Sequence, residues 1–134
     1  MLSREGYKLM GHSDWLTVCA IIISVLLTSV SQLVLRAGMR GVSLSADFNR
    51  VADFWALVSS PYIVGGLILF GSSTVTWLFV LSRAPVSFAY PFVGLGIVLT
   101  TMGGVALLGE HVTKGQLLSI GIILIGIILL GLSD

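Results

Sequence analysis

Residues 81–110 read LSRAPVSFAYPFVGLGIVLTTMGGVALLGE and form an almost wholly apolar run with charged residues at both ends. It begins with a basic turn that contains Arg83 and Pro85, and it stops at Glu110. No residue between Pro85 and Glu110 carries a formal charge. Because about 20 such residues in helical form span the hydrocarbon core of a bilayer, the stretch is predicted to be a membrane-crossing helix. Its glycines indicate close packing against other helices; they are Gly94, Gly96, Gly103 and Gly104.

The composition of the whole chain is that of a membrane protein. Of the 134 residues, 56% are hydrophobic and 10% are charged, whereas an ordinary soluble domain has about 25% charged residues. The formal net charge is +1, and the sequence has no basic stripe that would neutralise nucleic-acid phosphates. Cys19 is the single cysteine, which excludes a disulfide within one chain. Nucleic acid is therefore not expected as a partner.

Three further crossings are predicted around residues 81–110, so the expected fold is all-α, with four transmembrane helices in a single domain, 1–134. The first apolar run is longer than the roughly 7–15 residues of a signal-peptide core, and we expect it to be retained. Pro61 opens the second crossing at a natural first-turn position. The small and hydroxyl residues of this crossing are expected to allow close approach of a neighbouring helix and to bond to it. They are Gly65, Gly66 and Gly71, and Ser72, Ser73, Thr74 and Thr76. The predicted crossings are 16–35, 62–81, 87–108 and 116–132.

A short amphipathic helix is predicted between the first two crossings, at about residues 47–58. Asp53 lies on the face opposite its apolar residues, and such a helix suits the membrane interface. A solvated loop with chance periodicity is the alternative. The apolar residues at helical spacing are Phe48, Val51, Trp55 and Val58.

Polar residues of the first crossing and charged residues at the membrane edges are the candidate substrate contacts. Thr28, Ser31 or Gln32, and Leu35 or Arg36 share one face at helical spacing. This face is expected to point away from lipid because an unpartnered amide is costly in hydrocarbon. An arginine at headgroup depth can hold a phosphate through two hydrogen bonds, and a snorkelling anchor is the alternative for each arginine. The candidate substrate-binding residues are Thr28, Ser29, Gln32, Arg36, Trp77, Arg83, Tyr90 and Glu110.

Structural alternatives stand beside several of these assignments. Gln32 is equally explained by a packing hydrogen bond, and Glu110 by a cap or by a pair with Lys114 four residues later. Tyr90 and Pro91 together predict either a simple kink or backbone groups that line a cavity.

The sequence offers no basis for an enzyme. No ionisable side chain lies deep within a predicted crossing, although proton-coupled transport usually relies on one. A phosphate-binding loop with Lys-Ser/Thr, a metal-ligand cluster and a nucleophile–base pair are all lacking. No catalytic residue, cofactor or metal is predicted.

With these elements in place, nearly the whole chain resembles the drug/metabolite transporter superfamily, specifically its four-helix EamA-type members. Residues 43–60 are the part least like that family. Within it, the chain is similar to the subunits that flip aminoarabinose linked to undecaprenyl phosphate across the bacterial inner membrane. The resemblance rests on Pro85, Ala89, Tyr90 and Pro91, on Gly109 with Glu110, on Gln116, Gly121 and Gly126, and on Ser31, Gln32, Arg36, Ala37 and Gly38.

The small multidrug resistance family is the competing resemblance. Its members carry an essential glutamate in the first helix, two turns before a basic residue. When that basic residue is aligned with Arg36, Thr28 occupies the place of the glutamate. This departure weighs against proton-coupled export of cationic drugs.

The resemblance implies a multi-pass inner-membrane transporter, a flippase for a polyprenyl-phosphate-linked sugar or a similar amphiphile, assembled as a homodimer or a heterodimer with a similar subunit. In this interpretation the polar residues of helix one contact the head group and Arg36 meets the phosphate, while Tyr90 and Trp77 stack on the sugar. Two alternatives stay open. One is a small multidrug or metabolite exporter that works by exchange, and the other is a non-transporting subunit of a glycolipid-modifying complex.

Overall fold

The computed structural model describes residues 14–43 and 51–131, and within these ranges every regular element is a helix. Three segments are long and apolar enough to cross a membrane: Trp15–Met39, Pro61–Leu81 and Val86–Leu108. A fourth apolar helix, Lys114–Leu130, is shorter. The predicted all-α, multi-pass class is thereby confirmed. The helices are α1 (Asp14–Met39), α2 (Val51–Val58), α3 (Pro61–Leu81), α4 (Val86–Ala89), α5 (Pro91–Leu108) and α6 (Lys114–Gly131).

Helix α1 is longer than predicted and carries its basic residue inside the last turn. Its 26 residues give a length of about 39 Å at 1.5 Å per residue, which exceeds the roughly 30 Å hydrocarbon core. The prediction stopped at residue 35, where the apolar run ends, but helical hydrogen bonding continues past Arg36 to Met39. The carboxyl end of α1 therefore reaches the membrane edge.

The third crossing is divided into two helices at Tyr90. Helix α4 ends at Ala89, and α5 starts at Pro91, directly after Tyr90. Proline has no N–H to donate to the preceding turn, so the helical ladder is broken at this point. The other end of α5 is Leu108, followed by Gly109 in the left-handed conformation, with φ of 63°.

Helix α2 confirms a helix at 51–58, while the predicted start at 47–50 lies outside the described residues. Asp53 is buried, with 7% of its surface exposed, whereas Trp55 is 61% exposed. The acidic residue thus faces the protein and the aromatic residue faces outward. This rules out a loop at 51–58, and the location of α2 in the membrane interface stays a prediction.

Helix α1 is the centre of the bundle and packs against both α3 and α5, while α6 packs against α5. The buried core consists of Ile21, Val25, Val80 and Ala89. These residues come from the first half of α1, the end of α3 and the start of the third crossing. The apolar core therefore lies at the end of the bundle opposite Arg36.

Two glycines show how closely the helices approach. A Cβ on Gly66 of α3 would lie 2.7 Å from Leu35 Cγ, and one on Gly96 of α5 would lie 3.3 Å from Val25 Cγ1. In contrast, Gly65 and Gly71 have no atom of a neighbouring element within 4 Å. Close approach was predicted for all three glycines of α3, and it holds for Gly66 only.

Most hydroxyl groups of α3 do not bond to a neighbouring helix, although such bonds were predicted. Ser73 does bond to one, because it is buried and its Oγ donates to the Ser24 carbonyl of α1 at 2.9 Å. Three others donate to carbonyls four residues earlier in their own helix, the usual solution for an outward-facing hydroxyl. They are Ser72, Thr74 and Thr76.

Candidate functional site

The polar face predicted along α1 is divided between two neighbouring helices. Thr28 donates its hydroxyl to the Ser24 carbonyl at 2.9 Å and is hydrogen-bonded to Ser73 of α3. Ser24 donates in turn to the Ser73 carbonyl at 3.0 Å. Because each residue advances about 100° around a helix, Thr28 lies about 80° from Arg36. Thr28 thus points away from lipid, as predicted, but it faces α3, whereas Gln32 and Arg36 contact α5 and a residue that follows it.

The other polar residues of α1 lie in a line against α5. Ser29 Oγ donates to the Gly96 carbonyl at 3.4 Å, and Thr100 Oγ1 donates to Gln32 Oε1 at 3.2 Å. One further turn along, Arg36 reaches Glu110. The structure thus brings Ser29, Gln32 and Arg36 together along one seam, and Gln32 makes the interhelical bond that was its packing alternative.

Arg36, Arg40 and Glu110 form a compact charged group, here called the arginine–glutamate cluster. Arg36 Nε donates to Glu110 Oε1 at 2.8 Å, and Arg40 Nη2 lies 3.5 Å from the same oxygen. Arg40 Nη1 also donates to the Leu108 carbonyl at 2.7 Å. The side chains stay accessible, with 63%, 46% and 35% of Arg36, Arg40 and Glu110 exposed. The cluster is therefore open to a ligand at the membrane edge.

The two arginines hold Glu110 in its charged form. The hydrogen bond from Arg36 is the largest influence on its pKa, and the positive charges of Arg36 and Arg40 act in the same direction against partial desolvation. The pKa of Glu110 is therefore lowered from 4.5. At neutral pH the cluster holds two positive charges and one negative charge.

The end of α5 is built to place Glu110 against α1. The left-handed Gly109 turns the chain, and the Glu110 N–H donates to the Gly104 carbonyl at 3.0 Å. A Cβ on Gly104 would lie 2.8 Å from Glu110 Oε2, so a larger residue there would displace the carboxylate from its present position. The sequence alternative of a Glu110–Lys114 pair is wrong, because this turn directs Glu110 towards Arg36 and Arg40 instead.

The remaining candidates lie at the opposite membrane edge. The rings of Trp77 and Tyr90 meet edge to face, with centroids 6.1 Å apart, and the Arg83 guanidinium lies 5.0 Å from the centre of the Phe79 ring. Tyr90 precedes α5 and Glu110 follows it, so the 18 residues of α5 separate them by about 27 Å. A single head group cannot touch Arg36 and Tyr90 together, and the predicted single site is wrong in this respect.

A polar groove between α5 and α6, which the sequence did not predict, adjoins the cluster. Its volume is about 550 Å³. Glu110 belongs to both the groove and the arginine–glutamate cluster. The sequence feature that could have indicated this groove is the set of hydroxyl and amide residues before and after Glu110. Its polar lining includes Thr100, Thr101, Glu110, His111, Gln116 and Ser119.

Comparisons with known proteins identify relatives of this chain. No protein-family profile matches it. No solved structure matches it either. Three curated relatives each carry the name probable 4-amino-4-deoxy-L-arabinose-phosphoundecaprenol flippase subunit ArnE. The relative from Hamiltonella defensa is 35% identical over 89 residues, which is 66% of this chain and 74% of the relative.

The other two relatives give similar matches. The protein from Aeromonas salmonicida is 32% identical over 83 residues, 62% of this chain and 73% of the relative. The protein from Escherichia fergusonii is 30% identical over 111 residues, 83% of this chain and 93% of the relative. These matches confirm the resemblance to aminoarabinose flippase subunits that was found on the sequence motifs. The chain belongs to the family of ArnE flippase subunits.

Proposed function

We propose that this chain is a subunit of a flippase that moves an undecaprenyl phosphate lipid bearing an aminoarabinose head group across the bacterial inner membrane. Its membership of the ArnE family carries the proposal, because its relatives are named as subunits of a flippase for this lipid. Those relatives are transporters rather than enzymes. The chain itself is a multi-pass inner-membrane protein with apolar helices of spanning length.

The arginine–glutamate cluster is the proposed phosphate site. A guanidinium has five N–H donors, and the contact of Arg36 with Glu110 is made by Nε alone. Arg36 is also the most exposed member of the cluster. Bidentate hydrogen bonding between guanidinium and phosphate is strong and oriented, so a lipid phosphate at the membrane edge can compete with Glu110 for Arg36 and Arg40.

The two membrane edges suggest a path for the head group. Ser29 and Gln32 continue from Arg36 into the seam between α1 and α5. Trp77 and Tyr90 offer aromatic surfaces at the far edge, about 27 Å from Glu110 along α5. In this proposal the head group passes from one edge to the other along the seam, while the polyprenyl tail stays in lipid. Arg83 marks the far edge, where a second phosphate contact is available.

The proposed unit of transport is a dimer of four-helix subunits, each a single domain. α6 is apolar over 17 residues, the short end of the spanning range, and we propose that it is the fourth crossing. A Cβ added at Gly121 or at Gly126 would have no neighbouring atom within 4 Å. Small residues that meet no neighbouring element allow another helix to approach closely, and the relatives are named as subunits. A similar four-helix chain is the proposed partner.

The experiment is lipid translocation in inverted inner-membrane vesicles from cells that lack the chain and are complemented with variants, so that every partner subunit is present. Arg36→Ala is expected to reduce translocation at least about tenfold, which corresponds to the loss of one charge-assisted contact. Lys114→Ala is the control, because it removes a charge at the same edge outside the cluster. If complementation with the wild-type chain restores no translocation, the chain is a non-transporting subunit instead.

A further inference from the structure

We infer that Glu110 is the residue that recognises the amino group of the sugar, and that substrate binding exchanges ion pairs within the arginine–glutamate cluster. This inference rests on the proposed function. The lipid carries an anionic phosphate and a cationic amino group on one small sugar. A site that accepts both charges needs a cation and an anion next to each other. Among the described residues, this cluster places a carboxylate against two guanidinium groups at a membrane edge.

The position of Glu110 makes the exchange geometrically simple. Its Oε1 receives both arginine contacts, while the residue also forms part of the groove between α5 and α6. When a phosphate takes the guanidinium donors, the carboxylate loses its counter-charges but still adjoins the groove. An ammonium group in the groove then replaces the lost positive charge. After the exchange each of the five charges, three of the cluster and two of the substrate, has a partner, which avoids the cost of an unpaired charge near the membrane.

The groove beside Glu110 has the chemistry of a sugar site. Thr101 and Ser119 donate their hydroxyl protons to backbone carbonyls of their own helices. Their oxygen atoms therefore stay available as hydrogen-bond acceptors. The Gln116 carbonyl oxygen accepts from the Thr113 N–H at 2.8 Å, and an amide NH2 has two donors of its own. The groove volume of about 550 Å³ is in the range of small-molecule sites, roughly 300–1,000 Å³. Sugar hydroxyls find both donors and acceptors there.

The test compares two lipids that differ only in the charge of the sugar. One is undecaprenyl phosphate aminoarabinose, and the other is the same lipid with its amine acetylated. Translocation of both is followed in the complemented vesicles by periodate cleavage of the sugar, since both lipids carry the same C2–C3 diol, and each signal is normalised to the same lipid in detergent-opened vesicles. The measured quantity is the ratio of the two translocation rates, since a ratio cancels differences in expression and folding between variants.

For the wild-type chain the amine-bearing lipid is expected to move about tenfold faster than the acetylated lipid. Glu110→Gln is expected to bring the ratio close to one, Glu110→Asp to keep it above one, and the Lys114→Gln control to leave it unchanged. A ratio that survives in Glu110→Gln would overturn the inference while leaving the proposed function intact. Failure of the wild-type chain to move either lipid would overturn both.

Discussion

The backbone around Glu110 determines where its side chain lies at the end of α5. Gly109 turns the chain, Gly104 leaves room for the carboxylate, and Arg36 with Arg40 supplies the counter-charge. An exposed ion pair by itself contributes little to stability. In the proposed function, the pair matters because it places opposite charges next to each other at the membrane edge.

The charge of Glu110 predicts how a Glu110→Gln variant responds to pH. Because the folded-state pKa lies below the ordinary value of 4.5, the contact with Arg36 stabilises the folded protein fully above that value and is lost as pH falls through the lowered pKa. The difference in melting temperature between wild type and Glu110→Gln is expected to be constant from neutral pH to about pH 5 and to shrink below pH 4.5. Thermal unfolding of both proteins in detergent measures it. If the difference in melting temperature widens as the pH falls, the arginines do not hold Glu110 in its charged form.

Sequence reasoning identified Arg36 and Glu110 separately but did not pair them. Spacing within one helix suggested Lys114 as the partner of Glu110, because contacts four residues apart are predictable locally. The pair with Arg36 spans 74 residues and depends on α1 packing alongside α5. Arg40, one turn after Arg36, was absent from the candidates although it shares the same face of α1.

At the scale of helices, the close approach of α1 and α3 depends on a few small residues. Gly66 lies against Leu35, while its neighbour Gly65 faces open space. The two glycines are adjacent in the sequence and lie in the same helix, yet their surroundings are different. They provide a matched test of whether helix packing, rather than glycine content, fixes this interface.

Gly66→Ala and Gly65→Ala are therefore expected to differ in stability. A Cβ at Gly66 would lie 2.7 Å from Leu35 Cγ and 3.2 Å from the Leu35 backbone nitrogen, and overpacking of this kind costs about 1–3 kcal/mol. Gly65→Ala meets no neighbouring element and is expected to be neutral or stabilising by up to about 1 kcal/mol. Unfolding of the detergent-solubilised proteins by a denaturing detergent measures both. Equal effects of the two substitutions would show that the packing of α1 on α3 is incorrect.

Most helix boundaries were predictable because apolar length and proline position determine them. Pro61 begins α3 and Pro91 begins α5, as expected for a residue that lacks the N–H needed inside a helix. The direction of the polar side chains was not predictable in the same way. Thr28 and Gln32 are one turn apart, yet they bond to different helices, and this follows only from the arrangement of α3 and α5 on either side of α1.

At the scale of the whole molecule, the candidate residues divide between two membrane edges. Arg36 and Glu110 lie at one edge, and Trp77, Arg83 and Tyr90 lie at the other. The order of the chain contained this information, because Tyr90 and Glu110 stand on either side of one crossing. A single site that joins them was therefore excluded by the crossing itself. Two separate edges are what a carrier of a head group between leaflets requires.

The proposed four crossings predict the side of each loop. Single cysteines introduced by Ser82→Cys and Asp134→Cys in a Cys19→Ser background are expected to react from one side of the membrane, and His111→Cys from the other. The reason is that α6 returns the chain to the side of Ser82 only if it spans the bilayer. Labelling with a membrane-impermeant maleimide in right-side-out and inverted vesicles measures this. Reaction of Asp134→Cys and His111→Cys from the same side would rule out α6 as a crossing.

The most direct test of the account is the translocation rate of undecaprenyl phosphate aminoarabinose in inverted vesicles from cells that lack this chain. We expect the wild-type chain and Lys114→Ala to restore translocation. Arg36→Ala, present in the membrane in equal amount, is expected to restore at most about a tenth of the wild-type rate. Translocation by Arg36→Ala at the wild-type rate would contradict the assignment of the arginine–glutamate cluster as the phosphate site.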